Sequence, residues 1–182
     1  MRKLCLRAVV APLMALTLSS TAYAQQSVTF PDQAQTTTLT ANVSEQARVT
    51  VPAGVTFNVS NVSASTAATA ASVAVQSIVL ATATKQLKVS LQANAASFTP
   101  PTVGATTWSA GDVSWNAPTW TNATGASGTM SSAAYTEVAT CAADAGDCST
   151  TGLVFSLGAK STVQRAGAHT LVVSWKFESI GS

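Results

Sequence analysis

Apolar and polar residues alternate in short runs along most of this chain, and a period of two is the signature of half-buried β-strands. The clearest run is Gln86-Leu87-Lys88-Val89-Ser90-Leu91-Gln92. It predicts a strand with Leu87, Val89 and Leu91 facing a core and Lys88 and Ser90 facing solvent. The last run, His169–Glu178, places Leu171, Val173, Trp175 and Phe177 on one face. Near the start, Arg48-Val49-Thr50-Val51 and Val55-Thr56-Phe57-Asn58-Val59 alternate on either side of Pro52-Ala53-Gly54, which predicts a hairpin. Val73–Leu80 is a further strand whose phase slips between Val75 and Ile78, the mark of a bulge or of burial on both faces.

Between these runs the pattern weakens. Ser63–Ser72 is rich in Ala, Ser and Thr without periodicity and is predicted as a loop, because Ser and Thr weaken the helix preference of Ala. Trp108–Trp120 and Met130–Thr140 supply two or three short strands around Gly125-Ala126-Ser127-Gly128, and Gly152–Leu157 another. Many short strands with turn signals between them and no convincing helix predict one all-β domain, a single antiparallel sandwich.

The first 24 residues change that picture. Arg2, Lys3 and Arg7 precede an apolar stretch, Ala8–Leu18, that is too short to span a bilayer, and Ala22-Tyr23-Ala24 has the small-x-small form of a cleavage site. The expectation is a secretory signal peptide over residues 1–24, an exported β-sandwich domain over 25–182 and no transmembrane segment in the mature chain. Location in the periplasm, at the cell surface or outside the cell follows. Three of the nine basic residues fall in the leader, so the remainder is close to neutral and carries no basic patch. That argues against nucleic acid or anionic lipid as a partner. Only 9% of the residues are charged, against about 25% in ordinary domains. Solubility then rests on Ser, Thr, Asn and Gln, as in extracellular fibre and matrix proteins.

Few residues suggest chemistry. Cys5 leaves with the leader, and Cys141 and Cys148 are expected to form a local disulfide closing Ala142–Asp147. Asp144 and Asp147 on that loop match no established Ca²⁺ spacing. His169 is the only histidine, and it is expected at the exposed start of a strand. No nucleophile elbow, phosphate loop or metal-spaced His pair occurs, so no catalytic residue, metal ligand or cofactor is assigned. Trp115 shares a face with Val113 and belongs to the core. Trp108 and Trp120 are the pair that an exposed sugar-stacking platform would use, although large aromatics more often fill cores.

Arg48-Val49-Thr50-Val51-Pro52, then Val55-Thr56-Phe57, and the closing Ala166-Gly167-Ala168-His169-Thr170-Leu171-Val172-Val173 resemble exported bacterial β-sandwiches of the spore coat protein U and fimbrial-subunit kind. In those, an aromatic residue stands where His169 stands here. The resemblance implies an immunoglobulin-like sandwich with a structural role at the cell surface. The expected function is therefore a non-enzymatic structural or adhesive component, pilin-like or a matrix subunit. A carbohydrate-binding module using Trp108 and Trp120, with polysaccharide as its partner, is the alternative. Gln25–Val43 has few charges and many threonines, with Val28, Phe30, Leu39, Ala41 and Val43 as its apolar residues. Such a segment either pairs within its own sandwich or adds as a strand to a neighbouring copy or another surface protein.

Overall fold

The computed structural model describes residues 27, 29–31 and 36–181, so the expected leader lies outside the described residues. The chain divides by contact into Met1–Ala41 and Asn42–Ser182. In the first unit the described residues hold no strand, and Phe30 and Leu39 are exposed. The second unit is an all-β antiparallel sandwich.

Among the described residues eleven strands build three sheets: β1 (Gln46–Thr50), β2 (Thr66–Ala67), β3 (Ala71–Val79), β4 (Gln86–Ala93), β5 (Val113–Trp115), β6 (Ala123–Gly125), β7 (Gly128–Thr129), β8 (Thr136–Cys141), β9 (Cys148–Leu153), β10 (Phe155–Leu157) and β11 (Val173–Ile180). Their orders are β1-β3-β9, β2-β10-β5-β7 and β11-β4-β8-β6. Only Val154 separates β9 from β10, so one run of chain passes from the first sheet into the second. Asn116 secures the change of sheet: its Oδ1 accepts from the Val154 N–H (2.8 Å) and its Nδ2 donates to the Gly152 carbonyl (3.0 Å). The first two sheets face the third across one core that takes Val73 and Leu153 from the first, Val113 and Phe155 from the second and Leu91 and Val138 from the third.

The alternation in β4 is realised on its inner face, where Val89 and Leu91 are fully buried. Its outer face differs from expectation at Ser90, which is buried rather than turned to solvent. β4 lies between β11 and β8, with Lys176 and Glu137 as the direct neighbours of Ser90, so the outer face at this central position is also covered. The phase slip in β3 is a local break at Ser77, whose φ of 52° is left-handed. Ser63–Ser72 contains the short strand β2 and the start of β3 where a loop was expected.

The expected hairpin across Pro52-Ala53-Gly54 does not form. β1 pairs with β3 instead, from Gln46 opposite Val79 to Thr50 opposite Ala74. Val55–Val59 keeps its alternation but belongs to no ladder. Its apolar residues pack on the core from the edge, and burial of that one face satisfies the pattern without a partner strand.

Gly125 and Gly128, which the sequence places at a strand break, have a packing role. Gly128 lies opposite Trp115 in the β5–β7 ladder, and a Cβ on Gly128 would collide with the Trp115 ring. A Cβ on Gly125 would meet the Trp120 ring at 2.7 Å. Two bulky indoles fit between short strands because these neighbours have no side chain.

Candidate functional site

The residues singled out for chemistry do not come together. Trp108 and Trp120, the expected exposed pair, are buried at 4% and 7% exposure, as is Trp115. Their large apolar area is worth more inside a charge-poor sandwich than on its surface. Trp108 Nε1 donates to the Gly158 carbonyl at 2.9 Å and Trp115 Nε1 to the Ala126 carbonyl at 3.0 Å, while Trp120 Nε1 has no partner among the described residues. A stacking platform built on Trp108 and Trp120 is not formed.

Cys141 and Cys148 are bonded, with Cα atoms 5.8 Å apart. Cys141 ends β8 in the third sheet and Cys148 opens β9 in the first, so the bridge joins the two faces of the sandwich. Both residues are fully buried with Val75, Leu87 and Val89. Asp144 and Asp147 stand exposed on the loop, and Asn122 Nδ2 donates to Asp147 at 3.2 Å. Among the described residues no group of His, Cys, Asp and Glu is arranged to hold a metal ion.

His169 is half-buried and precedes β11, not exposed at a strand start. Its Nε2 lies 3.0 Å from the Arg165 carbonyl, which can only accept, so this nitrogen carries the proton. In the neutral ring Nδ1 then accepts from the Thr107 hydroxyl at 2.7 Å. The ring meets Trp108 edge-on at 5.2 Å. Thr107 brings a hydroxyl to the ring, but among the described residues no carboxylate orients it, since the other ring nitrogen is held by the Arg165 carbonyl. The histidine pins a strap, residues 163–171, across one end of the sandwich. Thr170 and Thr99 exchange two backbone bonds at 2.7 and 3.0 Å, and Gly167, at φ 128°, passes so close to Pro101 that a Cβ would lie 2.8 Å from its ring.

Asp112 ties the strap's approach to β5. Its Oδ2 accepts from the Ser109 N–H (2.7 Å), the Ser109 hydroxyl (2.9 Å) and Lys160 Nζ (2.8 Å). Burial pushes this carboxyl upward, but the Lys160 ammonium and the two Ser109 donors outweigh it and hold Asp112 below the usual carboxylate range. At the other pole, hydrogen bonds from Lys85 and from the Ala81 N–H hold the exposed Glu45 carboxyl low as well.

Beneath the strap lies the feature that sequence reasoning missed. An apolar groove of about 910 Å³ runs between β11 and the unpaired segment Val55–Val59. Phe57 and Val59 line one side, Val173 and Trp175 the other, and Leu91 and Trp108 are among its floor residues. β11 pairs with β4 along its whole length, Val173 opposite Ala93 to Ile180 opposite Gln86, but among the described residues it has no ladder on its other side. Every residue of β11 is half-buried, including those on the inner face. The alternation of Leu171, Val173, Trp175 and Phe177 correctly defined that face, yet the interior it points into is open along this edge. Among the described residues no strand fills the space between these two extended segments. The alternation of Val55–Val59 was visible beforehand, but the Pro52-Ala53-Gly54 turn pointed to pairing with Arg48–Val51 and so concealed the groove.

Comparison with known proteins finds no matching family model, no similar curated protein and no similar solved structure. No helix among the described residues is long and apolar enough to cross a membrane.

Proposed function

We propose that this chain is an exported, non-enzymatic structural subunit of a surface or matrix assembly. Its copies join when the N-terminal segment of one lies as a strand in the open groove of another. The observation that carries this reading is the groove, an apolar slot bordered by an eight-residue strand that pairs on one side only among the described residues. A guest strand there gains main-chain hydrogen bonds from β11 and buries alternate side chains against the core. Thr36–Ser44 suits the slot. It has no charge, and Leu39, Ala41 and Val43 are in phase with one another. Leu39 is 92% and Val43 72% exposed in the single chain. Exposed apolar residues on an extended segment and a half-exposed apolar interior are complementary surfaces.

The test uses Leu39→Asp and Val43→Asp in the chain from Gln25 to Ser182. Both side chains are exposed in the subunit, so its fold and thermal unfolding should stay unchanged. Wild-type protein should give ladders by size-exclusion chromatography and filaments or chains by electron microscopy, and the variants monomers. Wild-type monomers at all concentrations, or unaltered assembly of the double variant, would overturn the reading.

A further inference from the structure

Among the described residues the groove beneath the strap is lined by one charged side chain, Arg165, and by no carboxylate. Arg165 is exposed and outside every ion pair among the described residues, whereas the nearby Lys160 is matched by Asp112. A residue that is both exposed and on the lining stands at the mouth. Its backbone is fixed there, because the Arg165 carbonyl accepts from His169 Nε2 at 3.0 Å and Thr107 holds the same ring from its other side. Deeper in, Phe57, Leu91, Phe98, Trp108 and Trp175 present aliphatic and aromatic surface.

A volume of about 910 Å³ falls within the roughly 300–1,000 Å³ of sites that take small ligands. The slot lies between two extended segments, so a guest that fills it is elongated. An apolar floor with a single cation at the mouth selects a molecule with one negative group and a long hydrocarbon tail. One guanidinium matches one carboxylate through paired hydrogen bonds, whereas a lone cation gives little hold on a charged membrane surface. The tail has no hydrogen bonds to offer the free N–H and C=O groups along β11. It therefore lies on the side chains and leaves those groups to water. A guest strand satisfies them, so a strand holds the slot more firmly than a tail does.

We propose that the groove of the unassembled subunit binds a free long-chain fatty acid, its tail on Phe57, Leu91 and Trp175 and its carboxylate on Arg165, and that an incoming strand displaces it. The binding stands without the strand donation proposed above; the displacement rests on that reading. The guest covers apolar surface that an exported subunit otherwise exposes to water, and it delays self-association until strands are abundant enough to compete.

The experiment titrates decanoate, dodecanoate, tetradecanoate and dodecanol, below their micelle-forming concentrations, into the chain from Gln25 to Ser182 carrying Leu39→Asp and Val43→Asp. Calorimetry should show one site, with affinity for the acids rising about 2- to 4-fold per added methylene. Arg165→Gln, at an exposed position, should weaken dodecanoate about 3- to 10-fold at low ionic strength and leave dodecanol unchanged, and Arg165→Lys should recover part of the loss. A bromine on the acyl chain should quench tryptophan emission, and Trp175→Phe should lower the quenched fraction, since Trp115 and Trp120 do not line the slot. Absence of saturable binding, absence of quenching, or an equal effect of Arg165→Gln on acid and alcohol would overturn the site. In the wild-type chain, saturating dodecanoate should slow assembly, and Arg165→Gln should raise the concentration needed. Binding that leaves assembly untouched overturns the displacement alone. A wild type that never assembles overturns strand donation and displacement together, and the fatty-acid site is then judged by the titrations.

Discussion

The disulfide pole and the groove edge of this sandwich are built from similar strands and reach opposite degrees of closure. At the pole, Val75, Val89, Cys141 and Cys148 have no exposure, and a covalent bond joins the facing sheets. At the groove edge, Val173, Trp175 and Phe177 belong to the same inner face of the third sheet and remain half-buried. The difference lies in what covers each strand on its second side. Among the described residues β4 has β11 and β8, whereas β11 has β4 alone. A strand's inward residues are buried only as far as its neighbours extend, so one missing partner turns core into a surface that invites a guest.

The most direct way to break this comparison is the same substitution at both places. Leu87→Ala, in the closed cluster at the disulfide pole, should cost about 3–5 kcal/mol, because it leaves a cavity that the packed sheets cannot fill. Leu171→Ala, at the groove, should cost about 1–2 kcal/mol in the single subunit, since part of that side chain is already wet. Denaturant unfolding of the monomeric Leu39→Asp background reads both, and equal losses would show that the groove edge is as closed as the core. A smaller effect belongs to the covalent bond. Replacing Cys141 and Cys148 together by Ser should lower stability by about 2–3 kcal/mol through the freed loop, with further loss from hydroxyls placed in an apolar cluster. Comparing Ser with Ala at both positions separates the two parts.

The smallest effect sharpens the comparison at the strap. Asp112 has a lowered pKa, so its contribution is fully present above the unfolded carboxyl value of about 4 and is lost as pH falls through the folded value. Stability of the wild-type monomer should therefore drop between pH 5 and pH 2 more than that of Asp112→Asn, which lacks this titration. At pH 7 the substitution itself should cost about 1 kcal/mol, because it removes a partly exposed ion pair and weakens the bonds from Ser109. An identical acid response in the two proteins would show that the Ser109–Asp112–Lys160 connection does not hold the strap.

Much of the interior was legible beforehand. Leu87, Val89 and Leu91 are buried as their spacing required, the last strand carries its apolar residues on one face, and the two cysteines are bonded. The positions that misled are those where a side chain's fate depends on distant chain. Ser90 is polar and alternates correctly, yet the central place of β4 buries it. Trp108 and Trp120 lie in a segment with little periodicity, and only assembled sheets with glycines at matching points give them a site. His169 stands alone in the sequence, whereas its ring joins Thr107 and the Arg165 carbonyl from separate segments.

The amino-acid pattern alone determined the all-β class, the inward face of each well-alternating strand and the local disulfide, because each depends on residues close together in the chain. Tertiary structure decided which edges pair, that Val55–Val59 turns away from β1, and that β11 is left open beside it. Side-chain alternation marks the two faces of a strand. Its two edges are made of the same backbone N–H and C=O groups whatever the sequence, so an unfilled edge leaves no trace in the alternation and becomes visible only when every other strand has found its neighbour.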